Sequence, residues 1–306
     1  MEGTSANASV APDYSSRRGQ IHFWLRRIHS LAGLAFGGFV AVHLMINATG
    51  INGVMYQQEV NKIHDLGPNL AFVEFTFIFL PLLIHVLYGL YATGAGARWN
   101  AVHYNYGGNV RYTLQRVTGL ILLVFLAYHL ATLHRWGLAL IYDLTHWRAL
   151  SSFPWFRPHF AYASTVDAIK TPYGKNPWFW ANIISVVLYL LGVWAAVFHM
   201  ANGLWTAAIA WGLTVTASAQ KRWGNVCLAV GIVFAIVGTI AWASFTILGH
   251  PAPLPPRHAH GHGTMVERGP VYSAPLRRAI PQLSAYSYGI SARTAIETAG
   301  AAGRPV

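Results

Sequence analysis

Residues 28–50 read IHSLAGLAFGGFVAVHLMINATG, twenty-three positions with no Asp, Glu, Lys or Arg. About 20 consecutive apolar residues are what a helix needs to cross the hydrocarbon of a bilayer. Arg26 and Arg27 stand just before this stretch, where a membrane interface would hold them. Four more stretches of the same kind follow, near 71–96, 113–137, 178–213 and 222–249. The fourth is too long for a simple crossing and is expected to tilt or to project beyond the membrane. In lipid every backbone polar group has to be satisfied within its own segment or a closed barrel. The reading is therefore an all-α membrane protein, with five transmembrane helices in a bundle.

Composition agrees. The chain has 306 residues, of which 54% are hydrophobic and 10% charged. Soluble domains carry about 25% charged residues, so most of this chain is not made to face water. A net charge of +12 invites a nucleic-acid reading, but Lys and Arg gather at the ends of the apolar runs, as membrane topology requires. The expected surroundings are lipid, with no nucleic-acid partner. A single cysteine, Cys227, excludes an internal disulfide and an iron–sulfur cluster held by this chain alone.

Residues 1–20 are polar and lack the apolar core of a cleavable signal, so the first span is expected to act as the insertion signal. Arg17, Arg18, Arg26 and Arg27 precede span one, Arg98, Arg111 and Arg116 lie between spans two and three, and Lys221 and Arg222 lie between four and five. The segment 51–70 holds Lys62 against Glu59 and Asp65. This asymmetry places the amino terminus in the cytoplasm of a chain threaded through the inner (cytoplasmic) membrane. Arg148, Arg157, Lys170 and Lys175, in the long segment 138–177, run against the rule, which long loops obey less strictly. The expected organisation is a cytoplasmic segment 1–20, a five-helix domain 21–249 and a mostly irregular tail 250–306, rich in Pro, Ala, Gly, Ser and Arg. His258, His260 and His262 in that tail read as a solvated linker rather than a metal site.

The histidines carry the functional reading. There are 15, and His43, His85, His129 and His199 each lie well inside a different one of spans one to four. An ionisable side chain in hydrocarbon is costly and marks a functional site by default. Bis-histidine haem ligation uses such residues in pairs, because a neutral imidazole nitrogen binds iron and facing helices can clamp the porphyrin between them. Depth sorts the four. At about 1.5 Å per residue, His43 lies roughly 10 Å from Gly50 and His129 about 9 Å from Arg135, both near the outer face. His85 lies about 24 Å inward from Asn69 and His199 about 33 Å inward from Pro177. The expected pairs are His43 with His129 and His85 with His199, enclosing two haem b groups. Arg26, Arg27, His29 and Ser30 at the inner mouth of span one, and Arg116 in span three, are placed to meet haem propionates and equally to anchor at headgroups. Gly33, Gly37, Gly38, Gly89, Gly119 and Gly203 leave room for a wide ring, and also serve helix packing.

The motifs around these residues carry a resemblance. Span one runs LRRIHSLAG to VHLMIN, span two IFLPLLIHVLYG, span three LQRVTGL and then AYH, and span four FHMANGLW. In this order, over about residues 20–248, they resemble the single-chain, five-helix, di-haem cytochrome b anchor of the succinate dehydrogenase and fumarate reductase family. The resemblance implies that His43, His85, His129 and His199 are axial ligands, paired first with third and second with fourth. It implies a role for His29 beside a propionate or a quinone, or in structure. It further implies a quinone substrate, menaquinone in preference to ubiquinone, and soluble flavoprotein and iron–sulfur partner subunits that do the dicarboxylate chemistry. Glu59, His64, Asp65 and Glu74 are the polar groups nearest the outer face that can exchange protons with a quinone, and ordinary solvation explains them as well.

Two rivals are weighed. A cytochrome b of the bc type places two ligands on one helix, and His29 and His43 stand 14 apart. Counting back 13 or 14 from His199 reaches Val186 and Ser185, and from His129 it reaches Arg116 and Gln115, so the second pair is missing. A hydrogenase- or formate-dehydrogenase-type cytochrome fits the haem ligands but not the run of motifs. A haem-free transporter relaying protons needs intramembrane carboxylates, and Glu74 alone supplies one within the spans.

Overall fold

The computed structural model describes residues 16–94, 107–134, 144–146, 156–172 and 179–249. Among these the regular structure is helical: α1 (Arg17–Ala48), α2 (Gly53–His64), α3 (Asn69–Glu74), α4 (Leu80–Gly94), α5 (Gly107–Leu133), α6 (Ala161–Lys170), α7 (Phe179–Ala210) and α8 (Ala217–Thr246). A π-helical turn, Phe75–Phe79, joins α3 and α4 into one crossing. Five helices are long and apolar enough to span a membrane. The expected five-crossing, all-α architecture is what the chain adopts. The tail from 250 to 306, the first 15 residues, Arg98, Arg148 and Lys175 lie outside the described residues.

The first helix begins at Arg17 rather than near residue 28. Ser16 explains the difference, since its Oγ accepts from the Gly19 N–H at 3.1 Å and caps the helix before the apolar run starts. Hydropathy locates hydrocarbon, not the helix end. Helices α1 and α7 each have 32 residues, or about 48 Å, against a hydrocarbon core of about 30 Å. The excess length expected of the fourth crossing is present. Helix α7 ends at Ala210 and the chain turns away at Gly212, whose φ of +74° suits glycine, with the Leu213 N–H returning to the Ala208 carbonyl at 2.8 Å. The π turn sits just ahead of Pro81, which has no N–H to donate and crowds the preceding turn. A wider turn relieves both problems.

Helix α1 packs on α4 and α8, and α7 on α5 and α8, whereas α4 scarcely touches α5. The interior between α1, α4, α5 and α7 is thus left open, with α8 as a brace behind α1 and α7. Small residues let α8 come close. A Cβ on Gly231 would stand 3.2 Å from Ala201 Cβ, and one on Gly238 would stand 2.5 Å from Val193 Cγ1. The outer faces carry exposed Leu31, Leu83, Val124, Ile184 and Ile236. Such an apolar surface is a liability in water and the proper surface in lipid.

The segments 51–70 and 138–177, expected as loops, both contribute a helix to a cap over one end of the bundle. Tyr56 and Val60 of α2 pack with Val166 and Ile169 of α6, Phe245 of α8 and Tyr189 of α7. Gln57 ties the two capping helices together. Its Nε2 donates to the Pro158 carbonyl at 2.6 Å, and its Oε1 accepts from the Ala161 N–H at 2.8 Å, the otherwise orphaned first donor of α6. Burial holds the Tyr56 phenol at a pKa of about 12, so it stays protonated beside Thr165. Replacing Gln57 with leucine leaves two partly buried backbone groups unpaired. The expected loss is about 1–3 kcal/mol of stability, read as a lower midpoint of thermal unfolding in detergent.

Candidate functional site

The four intramembrane histidines come from α1, α4, α5 and α7, the helices around the open interior, and α8 supplies none. Each ring lines one large, partly open cavity of about 2710 Å³. Small-molecule pockets hold about 300–1,000 Å³, so this space suits something larger or more than one occupant. His43 and His129 face each other with ring centres 6.0 Å apart and planes at 89°. His85 and His199 do the same at 5.9 Å and 85°. From helix rise the two pairs lie about 15 Å apart along the bundle, since Tyr189, which meets the His129 ring, is ten residues from His199.

Those separations have a chemical meaning. An imidazole nitrogen sits about 2.0–2.1 Å from a transition metal and the ring centre about 1.1 Å further back, so two rings sharing one metal have centres about 6 Å apart. Among the described residues, no group of three or more His, Cys, Asp or Glu side chains could hold a metal ion. Two protein ligands do not complete a shell for a bare ion. They would suffice for a metal already held by a macrocycle.

Each ring is positioned by its surroundings. His85 Nδ1 donates to the His29 carbonyl at 3.1 Å, and His199 Nδ1 donates to the Gln115 carbonyl at 3.1 Å. In both rings this leaves Nε2 as the basic nitrogen. Thr118 Oγ1, which donates to the Leu114 carbonyl at 2.7 Å, stands 3.3 Å from the same His199 nitrogen. His85 also stacks on the His29 ring, with centres 4.1 Å apart and planes 8° from parallel. At the other pair, Phe39 lies against His43 and Phe125 and Tyr189 against His129. Nδ1 of His129 and Nδ1 of His29 are buried without a hydrogen-bond partner. Leaving such an atom unpaired costs about 1–3 kcal/mol.

The glycines make room for the imidazoles themselves. A Cβ on Gly33 would lie 2.6 Å from His85 Cε1 and Nδ1, and one on Gly119 would lie 3.2 Å from His199 Cε1. Gly89 and Gly203 face His29 and Gln115, whereas nothing lies within 4 Å of a Cβ on Gly38.

Arg26, Arg27, His29 and Arg116 all line the cavity, at the end that holds the amino terminus. Arg26 is exposed. The Arg27 guanidinium lies over Phe23 and Trp211, at 4.1 and 5.1 Å. Buried Arg116 donates from Nη2 to the Thr93 carbonyl at 3.1 Å. At the capped end His64 and Glu74 line the cavity, while Glu59 and Asp65 do not. Glu59 is paired with Lys62 at 2.6 Å. Histidine 134, not singled out in the sequence, lines this end as well, and the Glu74 carboxylate acts on it electrostatically. Gln115, Thr118 and Asn202, inside the motifs LQRVTGL and FHMANGLW, also meet the histidine site, a role that their position in the chain does not announce.

No protein-family model matches the chain. It is similar to the succinate dehydrogenase cytochrome b558 subunit of Bacillus subtilis (strain 168), with 31% identity over 232 residues, covering 74% of this chain and 98% of that protein. Matched at this level across nearly the whole of that relative, the chain belongs to the family of succinate dehydrogenase cytochrome b subunits.

Proposed function

We propose that this chain is the membrane anchor and electron conduit of a succinate:quinone oxidoreductase, with one haem b between His43 and His129 and a second between His85 and His199. The observation that carries the reading is the two perpendicular imidazole pairs at 6.0 and 5.9 Å, facing one large cavity. Haem bound there supplies a one-electron couple between ferric and ferrous iron. The chain's own residues do the rest. The imidazoles hold two sites about 15 Å apart along the bundle, in line between its two ends. The walls around them are mostly apolar side chains. Arg26, Arg27 and Arg116, with His29, offer donors for propionate carboxylates at the amino-terminal end.

That end is the cytoplasmic one in this reading, because Arg17, Arg18, Arg26, Arg27, Lys221 and Arg222 gather there. A flavoprotein that oxidises succinate and an iron–sulfur protein dock on it, and the anchor sits in the inner (cytoplasmic) membrane. Quinone, menaquinone rather than ubiquinone, exchanges electrons and protons with the chain, and Glu74 with His64 and His134 at the capped end are the groups placed to pass protons.

The test is haem quantitation with a redox-difference spectrum on the purified, detergent-solubilised chain. About two low-spin b haems per chain are expected. A folded chain made with adequate haem supply and holding none would sink the electron-transfer reading and revive a haem-free transporter.

A further inference from the structure

Beyond the ligands, a chain of side chains runs from a cation near the amino-terminal end of the bundle to His199. Arg111 Nε donates to Asn202 Oδ1 at 3.0 Å. Asn202 Nδ2 donates to Gln115 Oε1 at 2.8 Å. Gln115 Nε2 then donates to the His199 carbonyl at 3.2 Å. Asn202 is 4% exposed, and the Arg111 guanidinium is held over the Trp205 ring at 4.0 Å. Trp205 in turn donates to the Gln220 carbonyl at 3.1 Å, tying the chain to the start of α8.

Its orientation has one solution. Arginine only donates and a backbone carbonyl only accepts, so each amide between them must point its oxygen toward Arg111 and its nitrogen toward His199. The hydrogen bonds are therefore aligned head to tail and polarise one another from the cation inward.

Gln115 holds His199 at two points. Its side chain grips the histidine's main chain, while its own carbonyl accepts from the histidine's Nδ1 at 3.1 Å. Gly119 and Thr118, one turn further along α5, form the notch in which the ring lies.

We infer that Gln115, Asn202 and Arg111 form a positioning chain that fixes His199 and sets the redox potential of the metal site it faces. The inference rests on the proposed haem at His85 and His199. The physical link is the Nδ1–H···O=C bond. A short bond makes the imidazole a stronger donor and favours the oxidised metal. Without the side-chain clamp α5 and α7 shift against each other, the bond lengthens, and the potential rises.

The experiment is a redox titration, followed by absorption and electron paramagnetic resonance, of the purified chain carrying Asn202→Leu and, separately, Gln115→Met. Trp194→Phe is the control, since it removes an exposed bond from α7 to Thr239 of α8 at 3.1 Å, away from the α5–α7 contact that the clamp holds. In both test variants haem content stays at the wild-type level and one potential rises. The expected change is about tenfold in the ferric–ferrous equilibrium, or about 59 mV for one electron. The second haem and the control do not move. Both haems unmoved, both moved alike, or a haem lost from both variants overturns the positioning role. Absence of haem from the unmodified chain is a different result, which removes the underlying function instead.

Discussion

Replacing His129 with leucine removes one haem and leaves the other spectroscopically recognisable. The substitution puts an apolar side chain of similar bulk in place of the imidazole, so the helix and its packing against Tyr189 survive, while one of the two proposed haem ligands is gone. Haem per chain falls from about two to about one in a pyridine haemochrome assay. His43→Leu gives the same product, because His43 and His129 face each other at 6.0 Å. The double variant loses nothing more, the non-additivity expected of two residues serving one site. The residual spectrum belongs to the His85–His199 site, whose carbonyl contacts at 3.1 Å are untouched. Loss of both haems from a chain that still folds would show that the two sites are not independent. A bound group that prefers the native state stabilises it, so each single variant also melts at a lower temperature.

Gly33→Ala is expected to empty the other site through one methyl group. The added Cβ lies 2.6 Å from two atoms of the His85 ring, inside any tolerated contact. The ring has little freedom to retreat, since Nδ1 is tied to the His29 carbonyl and one face is stacked on the His29 ring. Either His85 leaves its place opposite His199 or α1 and α4 part. Overpacking of this kind costs about 1–3 kcal/mol, and the ligand geometry tolerates far less displacement than the fold does. Haem per chain falls to about one, and the surviving spectrum is the one that His129→Leu removes. Gly38→Ala is the internal comparison, because nothing lies within 4 Å of its Cβ. Retention of both haems in Gly33→Ala, with unshifted spectra, would mean that His85 is not held where the structure places it.

The two variants show which features could be read from residue order. The four histidines were legible because hydrocarbon leaves the chain only helices to cross with, and along a helix depth is simply the residue count times a constant rise. Counting from the outer ends of the spans sufficed to propose His43 with His129 and His85 with His199, and these rings lie near one another, with centres 6.0 and 5.9 Å apart and planes close to perpendicular. The basic residues at the span ends were legible for a similar reason, since they mark a boundary met in chain order.

Features that depend on how a helix is rotated were not legible. From the sequence Gly33 is a small residue with room beside it for a wide ring, yet the ring beside it is His85, fifty-two positions away. Gln115 and Asn202 show no role in the sequence, because their partners lie on other helices. Helix α6 has a covered face at helical spacing, Ala161, Ser164, Thr165, Ala168 and Ile169, but two of its five positions are hydroxyl residues, which blur the apolar signal. Ala161, Val166 and Ala168 are fully covered, and only the closing of α2, α7 and α8 around this short polar–apolar segment makes it a helix worth its ordering entropy. What the sequence by itself determined is the number of crossings, their order and the depth of each histidine, because lipid imposes a one-dimensional rule on every span. Which faces meet, which glycine admits which ring and which side chains carry a bond from Arg111 to His199 were decided by the tertiary structure alone. Those contacts join residues on different helices, and each depends on the rotation and close approach of two packed surfaces, which no single helix specifies.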